Sequence, residues 1–270
     1  MSRLKIEKED AVWVVRFHNP PHGYMDQQTA AELTVLLDEV EASDTVRAVI
    51  LTGDHDGVFI RHYDVTELAH NGAVMAAKGL RFSAERPVPE TDVHRCLLRM
   101  ETLPVPFIAA INGLAMGGGM EMALACDIRL AQDGPFDLGL PEVKIGLLPG
   151  AGGTQRLTRL IGQSQAMAMI LLGNTITPLE AARIGLVMEC VAGDVLQRAR
   201  EVAARIVGHS ALATTHIKRL VRSVGVLPVE EGLAMERTLF CDVMVAPQSL
   251  DAMNAMLSND SDIRDAGHPK

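Results

Sequence analysis

The sequence predicts an α/β fold, and three features of its 270 residues carry that expectation. Short apolar runs alternate with stretches of helical periodicity, the pattern of helices packed on parallel or mixed sheets. Past Gly193 the runs stop, and every later segment suits a helix. A hydrophobic content of 48% is enough for one large domain, or for a core with a smaller appendage.

In chain order, the strands expected are VWVVRF (12–17), RAVILT (47–52), FIAAI (107–111), DIRLA (127–131) and LVMECV (186–191). Between the first two, residues 26–43 place Leu33, Leu36, Leu37 and Val40 on one helix face. Residues 69–91 hold Gly72, Gly79, Pro87 and Pro89 without a clear period, so a mobile excursion or an irregular helix is expected there. The apolar window 105–126 has the length of a membrane span. Asn112-Gly113, the glycines at 117–119 and Glu121 break it into a strand, a turn and a helix start inside a soluble protein. Another helix begins near Gly153, and Ser164 is the expected cap of the helix through MAMILL. Thr177, Pro178 and Glu180 form the start signal of a further helix, with a cap, a proline at its first position and a capping-box acid. VLQRAREVAARIVG, ALATTHIKRLVRSVG, PVEEGLAMERTLFCDVMVA and SLDAMNAML then read as four helices, with apolar faces to set on the core or on a neighbouring subunit.

Composition excludes several classes of function. A formal net charge of −9 without a long basic run argues against nucleic acid as a partner. Cys96, Cys126, Cys190 and Cys241 are far apart with no CxxC pair, as expected of reduced, mostly buried thiols rather than a zinc site or a disulfide framework. The segment MSRLKIEKEDAVWVVRF lacks the uninterrupted apolar run of a secretory signal, which makes the cytoplasm the simplest expectation. Aromatics are 3% of the chain, so Ala, Leu, Ile, Val and 14 Met fill the interior, with Met also suited to line a pocket. There is no GxxxxGK[ST]; GAGGTQ at 150–155 does not complete GxGxxG; none of the nine His forms HExxH, so no metal is expected.

In INGLAMGGGMEMALACDIRLA (111–131) the triple glycine is followed by Met120 and then Glu121, among neighbours that leave the helix no solvent face. An acid in a first turn complements the helix dipole. A buried one also needs a partner, a raised pKa or a chemical task. Glycines at a helix start serve close packing, or let a ligand reach free N–H groups that stabilise negative charge on an oxygen. A second acid, Glu142, follows Pro141 in LPEVKIGLLPGAGGTQRL (140–157). It is either another helix-start acid or, brought beside Glu121 by the fold, its partner in acid/base work.

IAAINGLAMGGGMEMALACDIRLA followed by LPEVKIGLLPGAGGTQRLTRLIG closely resembles the signature region of the crotonase superfamily, specifically its enoyl-CoA hydratases. The likeness extends through RAVILTG upstream and GNTITPLEAARIGLVMECV downstream, roughly over residues 12–191, and weakens in the helical tail. The resemblance implies a spiral core of ββα repeats over 1–193 and a helical region over 194–270 used to form a homotrimer or a dimer of trimers. It implies a lyase of fatty acid metabolism acting on an acyl-CoA, with coenzyme A as part of the substrate and no other cofactor. The backbone N–H groups of Gly118 and Tyr63 would form an oxyanion hole for a thioester enolate. Glu121 would activate water, Glu142 would exchange the proton at the carbon next to the thioester, and Gly150 would help hold the water. Coenzyme A would contact Arg61, Tyr63, Thr66 and Gly118.

The chain departs from the pattern at FIRHYD (59–64), where relatives commonly read FxAGAD. Arg61, His62 and Tyr63 replace small residues, though a backbone donor survives a change of side chain. Thr66 stands where many relatives carry a phosphate-contacting lysine, and Arg61 is either its substitute or a surface arginine. The alternatives within the fold are an isomerase or a thioester hydrolase. Outside enzymes, the alternative is a CoA-binding scaffold whose FIRHYD substitutions abolish catalysis.

Overall fold

A computed structural model describes residues 1–259 and 262–265; residues 260–261 and 266–270, the end of the expected C-terminal region, lie outside the described residues. β1 (Leu4–Glu9) and β2 (Val12–Phe17) form an antiparallel pair. β1 escapes sequence reading because only Leu4 is fully buried in it, while its Lys and Glu residues blunt an exposed sheet edge. α1 (Gln27–Glu41) buries Leu33, Leu36, Leu37 and Val40 as their spacing predicts. The Asp26 carboxylate caps α1 by accepting from Thr29 N–H at 2.8 Å, and is itself held by Arg3 at 2.7 Å.

Next come β3 (Ala48–Gly53), β4 (Gly57–Ile60), α2 (Val65–Ala77) and α3 (Asp92–Thr102). The same strand, strand, helix order follows in β5 (Phe107–Ile111), β6 (Gly113–Met116) and α4 (Gly118–Ala125). It recurs in β7 (Ile128–Gln132), β8 (Leu138–Gly139), a 3-10 turn at Glu142–Ile145 and α5 (Gly153–Ile161). The first strand of each repeat joins a six-stranded sheet, ordered β1-β2-β3-β5-β7 with β10 (Glu189–Val191) at its far edge; β2 and the strands beyond it run parallel. The second strands, β4, β6 and β8, form a smaller parallel sheet that ends in the antiparallel β9 (Thr175–Ile176). This is the spiral of ββα repeats that the resemblance implies.

The expected turn at Asn112-Gly113 is instead a corner between the two sheets, and β6 is a strand that sequence periodicity did not separate from β5. A Cβ on Gly113 would lie 1.9 Å from the Gly57 carbonyl carbon, so only glycine lets the two repeats cross so closely. The Asn112 side chain bridges the same corner, accepting from Gly53 N–H at 3.0 Å and donating to the carbonyls of Gly53 and His55.

α6 (Gln163–Leu172) and α7 (Pro178–Arg183) flank β9. Ser164 is not the cap of α6: Gly162 both ends α5 and starts α6, which puts Ser164 inside the first turn. Thr177 does cap α7, accepting from Glu180 N–H at 3.3 Å, while the Glu180 carboxylate turns to Arg183 rather than back to the cap. The strand expected over 186–191 shortens to β10, because Leu186 and Val187 are buried in the bend after α7. In the stretch 69–91, α2 continues as a regular helix to Ala77 with none of its residues buried. Cys96 and Cys126 are buried as expected, whereas Cys190 is partly exposed and Cys241 exposed, and all four are free thiols.

The tail is helical throughout its described part: α8 (Val195–Val207), α9 (Ala211–Ser223), α10 (Val229–Met244) and α11 (Pro247–Ser258). α8 lies beyond residue 193, yet its Val195, Ala199 and Val202 pack on the large sheet against Val14, Ile50 and Ile108. Among the described residues no helix is long and apolar enough to cross a membrane.

Candidate active site

All eight residues of α4 are buried, so Glu121 has no solvent face, as its apolar neighbours predict. The glycines before it divide the two roles open to them. A Cβ on Gly119 would sit 2.1 Å from the Ile60 carbonyl oxygen, so this glycine lets α4 press against β4. Gly118 faces a different neighbour: its Cβ would lie 3.3 Å from the Tyr63 backbone nitrogen. Met25 N–H donates to the His62 carbonyl and Asp64 N–H to the Met25 carbonyl, which directs the intervening Tyr63 N–H to the opposite edge of the segment. Neither the Gly118 nor the Tyr63 N–H has an acceptor among the described residues.

Glu121 is 3% exposed, and its Oε1 accepts from Ala151 N–H at 2.7 Å and Gly153 N–H at 2.8 Å. Burial pushes its pKa above the usual carboxylate value; the two amides, Arg156 and His94 pull the other way. Glu142 opens the 3-10 turn, with its Oε1 3.3 Å from where a Cβ on Gly117 would stand. Its Oε2 is buried without a hydrogen-bond partner among the described residues. Burial, reinforced by the charge of Glu121, raises Glu142 to about 7. One acid therefore accepts from two amides of a facing segment, while the other has only its own backbone N–H and one unpartnered oxygen, an arrangement that separates their proton affinities.

This separation has a stability consequence of definite sign. Below pH 4.5 Glu142 holds its proton in the folded and unfolded chains alike; between 4.5 and about 7 the unfolded chain ionises first, and folding stability is lost. Glu142→Gln is expected to stabilise the protein at pH 8 by about 1–2 kcal/mol, after discounting for solvent screening. Denaturant melts at pH 4 and pH 8 check this, the gain vanishing at the acid end.

Gly118, Glu121, Glu142, Tyr63 and Gly150 all line one cavity of about 980 Å³, whose apolar wall includes Met25, Val65, Leu68 and Leu148. Met25 and Met116 thus line the cavity, while Met100, Met120 and Met122 fill the core. Arg61 and Thr66 do not line it. The Arg61 side chain donates from Nε to the His22 carbonyl at 2.9 Å, and Thr66 is exposed at the start of α2, its N–H donating to Asp64. The bulky residues of FIRHYD each find a partner. His62 stacks on Tyr24 with ring centroids 4.6 Å apart, and the Tyr63 hydroxyl donates to Glu67 at 2.9 Å. Burial and Glu67 hold the Tyr63 phenol above its usual pKa, so it remains a donor.

His94, from the first turn of α3, lines the cavity without having been anticipated. Its Nε2 lies 2.7 Å from the Gly150 carbonyl and its Nδ1 2.7 Å from the Thr91 hydroxyl. A carbonyl only accepts, so Nε2 carries a proton. No local motif marks His94, because its partner is 56 residues away in the chain.

A spiral of ββα repeats holding paired carboxylates beside free amides defines a crotonase-fold enzyme site. The family model described as Enoyl-CoA hydratase/isomerase matches residues 7–256, and the chain belongs to that family. It is similar to the short-chain-enoyl-CoA hydratase of Clostridium acetobutylicum, at 34% identity over 95% of each chain. It is also similar to the 2,3-dehydroadipyl-CoA hydratase of Escherichia coli, at 32% identity over 95% of this chain and 96% of the relative. A crystal structure of an enoyl-CoA hydratase from Bacillus anthracis superimposes with a TM-score of 0.84 at 29% identity, covering 96% of this chain and 97% of that one. The protein is an enzyme with a hydratase-like function.

Proposed function

We propose that the protein adds water across the double bond of an enoyl-CoA thioester, and removes it in the reverse direction. The observation that carries this reading is the unequal treatment of the two acids: Glu121 accepts two amide N–H bonds, while Glu142 is held near pH 7 with an unpartnered oxygen. In this reading Glu121, held by the two amides, is the base, and the protonated fraction of Glu142, about half near pH 7, is the acid. Water attacks the carbon far from the thioester as its proton passes to Glu121, and the double-bond electrons move onto the thioester oxygen. Tyr63 and Gly118 N–H stabilise that oxygen. The enolate collapses by taking the Glu142 proton at the carbon next to the thioester, and exchange with solvent restores both acids. The Gly150 carbonyl is engaged by His94, and the Gly150 N–H, which has no acceptor among the described residues, is the donor assigned to the water.

Coenzyme A enters as part of the substrate, and the steps above call for no metal or redox cofactor. A homotrimer or dimer of trimers fits the apolar side chains that α9–α11 expose, such as Val221, Val229, Phe240 and Leu257. Four free thiols suit the reducing cytoplasm.

Loss of the conjugated enoyl absorbance, measured over a series of chain lengths, tests the reading. Hydration is expected to fall above about pH 7 as Glu142 ionises, and to fall on the acid side as Glu121 takes up a proton. Thioester binding with no hydration at any chain length would leave the scaffold reading. Double-bond migration without water addition would leave the isomerase.

A further inference from the structure

The amides that hold Glu121 come from Ala151, in the short loop before α5, and from Gly153, the first residue of α5, and this segment is itself held from one side by charge. Arg156 Nη1 donates to the Ala151 carbonyl at 2.8 Å. The same guanidinium forks onto Glu101 at the end of α3, with Nε and Nη2 at 3.0 and 2.7 Å. Glu101 accepts a third bond, from Arg222 Nη1 of α9 at 2.9 Å. Arg222 also reaches the helix that carries Glu121: its Nη2 donates to the Ala125 carbonyl, in the last turn of α4, at 3.0 Å. Asp127 fixes Arg222 in place at 2.9 Å and binds the buried Lys218 of α9 at 2.8 Å. Lys218 in turn donates to the carbonyls of Met100 and Val105, both at 2.8 Å.

We infer that α9 is part of the catalytic apparatus, with Arg222 a positioning residue that sets both the helix of Glu121 and, through Glu101 and Arg156, the amides on its carboxylate. This rests on Glu121 being the base. The side chains of Arg156 and Glu101 are only 15% and 17% exposed, so their bonds are weakly screened and directional. The planar fork of Arg156 on the two Glu101 oxygens, joined on Oε1 by a single bond from Arg222, transmits orientation as well as charge. α9 comes after residue 193, in the region whose apolar faces were expected to set on the core or on a neighbouring subunit, and within one protomer it grips both halves of the Glu121 site.

The test uses Arg222→Gln, Arg222→Lys and Glu101→Gln in the full chain, with kcat, KM, the pH profile and the melting temperature measured for each. Besides Arg156 of α5, the charged groups facing Glu121 are His94 of α3 and Glu142 of the 3-10 turn. Arg222→Gln is expected to lower kcat about tenfold with KM little changed, as displacement of a reacting group does. Its acid limb is expected to move to higher pH, because the amides and Arg156 that favour ionised Glu121 retreat. Arg222→Lys should recover part of the loss. In a Glu121→Gln background, Arg222→Gln should have no further effect on kcat. A lowered melting temperature with kcat and pH profile unchanged in the folded variants overturns the inference. Should Arg222→Gln fail to fold, Arg222→Lys and Glu101→Gln decide by the same readouts. If Glu121→Gln leaves turnover intact, the assignment of the base is at fault instead.

Discussion

Glu121→Gln is expected to lower kcat for hydration by about 10²–10⁴ while leaving KM within a few-fold of wild type. The amide keeps the shape of the carboxyl, and its oxygen can still accept from Ala151 and Gly153 N–H, at 2.7 and 2.8 Å in the native protein. What disappears is the ability to take a proton from water, a difference realised only in the transition state. The acid limb of the pH profile should vanish with it. The limb above about pH 7, set by Glu142, should remain in the residual activity. Steady-state kinetics across pH 5–9 give both readings, and undiminished turnover would remove Glu121 from the role of base.

Gly118→Ala is the second large expectation, a fall in kcat of about 10²–10³ in a folded protein. The new methyl would stand 3.3 Å from the Tyr63 nitrogen and 3.2 Å from its Cβ, crowding one of the two amides assigned to the thioester oxygen. Its closest contact, 2.9 Å, is the end of the Met25 side chain, which can move aside. Gly119→Ala is the control, because its methyl would meet the Ile60 carbonyl oxygen at 2.1 Å, a backbone atom that cannot yield without moving β4 from α4. That variant should lose stability first, seen as a lowered melting temperature. Circular dichroism and turnover measured on both variants separate a blocked oxyanion site from a broken packing contact. A Gly118→Ala enzyme with normal kcat would place the developing charge elsewhere.

How far the site was legible in sequence depended on the range of each interaction. The burial of Glu121 could be read from its helix neighbours, since α4 is apolar all round. Its partners could not, because Ala151 and Gly153 lie 30 and 32 residues on and act through backbone groups that leave no side-chain signature. The spacing of Leu33, Leu36, Leu37 and Val40 gave the face of α1 directly. The step from β5 to β6 was hidden because both strands are apolar and the sheet changes at a single corner. Ser164 misled because a serine near a helix start is a good cap in isolation, whereas Gly162 already serves the junction between two helices. Thr66 stands at the position of the family's lysine and Arg61 was its candidate substitute, yet Arg61 turns to the His22 carbonyl and Thr66 is exposed at the start of α2, neither lining the cavity.

By itself, then, the sequence determined the α/β class, the order of most helices and long strands, the family, and two acids set beside glycine-rich helix starts. Those follow from local periodicity, capping chemistry and a long contiguous motif. Only the tertiary structure decided that Glu121 accepts two amides while burial raises Glu142 to about 7, and that α9 reaches back to the helix of Glu121. Both depend on desolvation and on hydrogen bonds across space, between groups as far apart in the chain as Glu101 and Arg222.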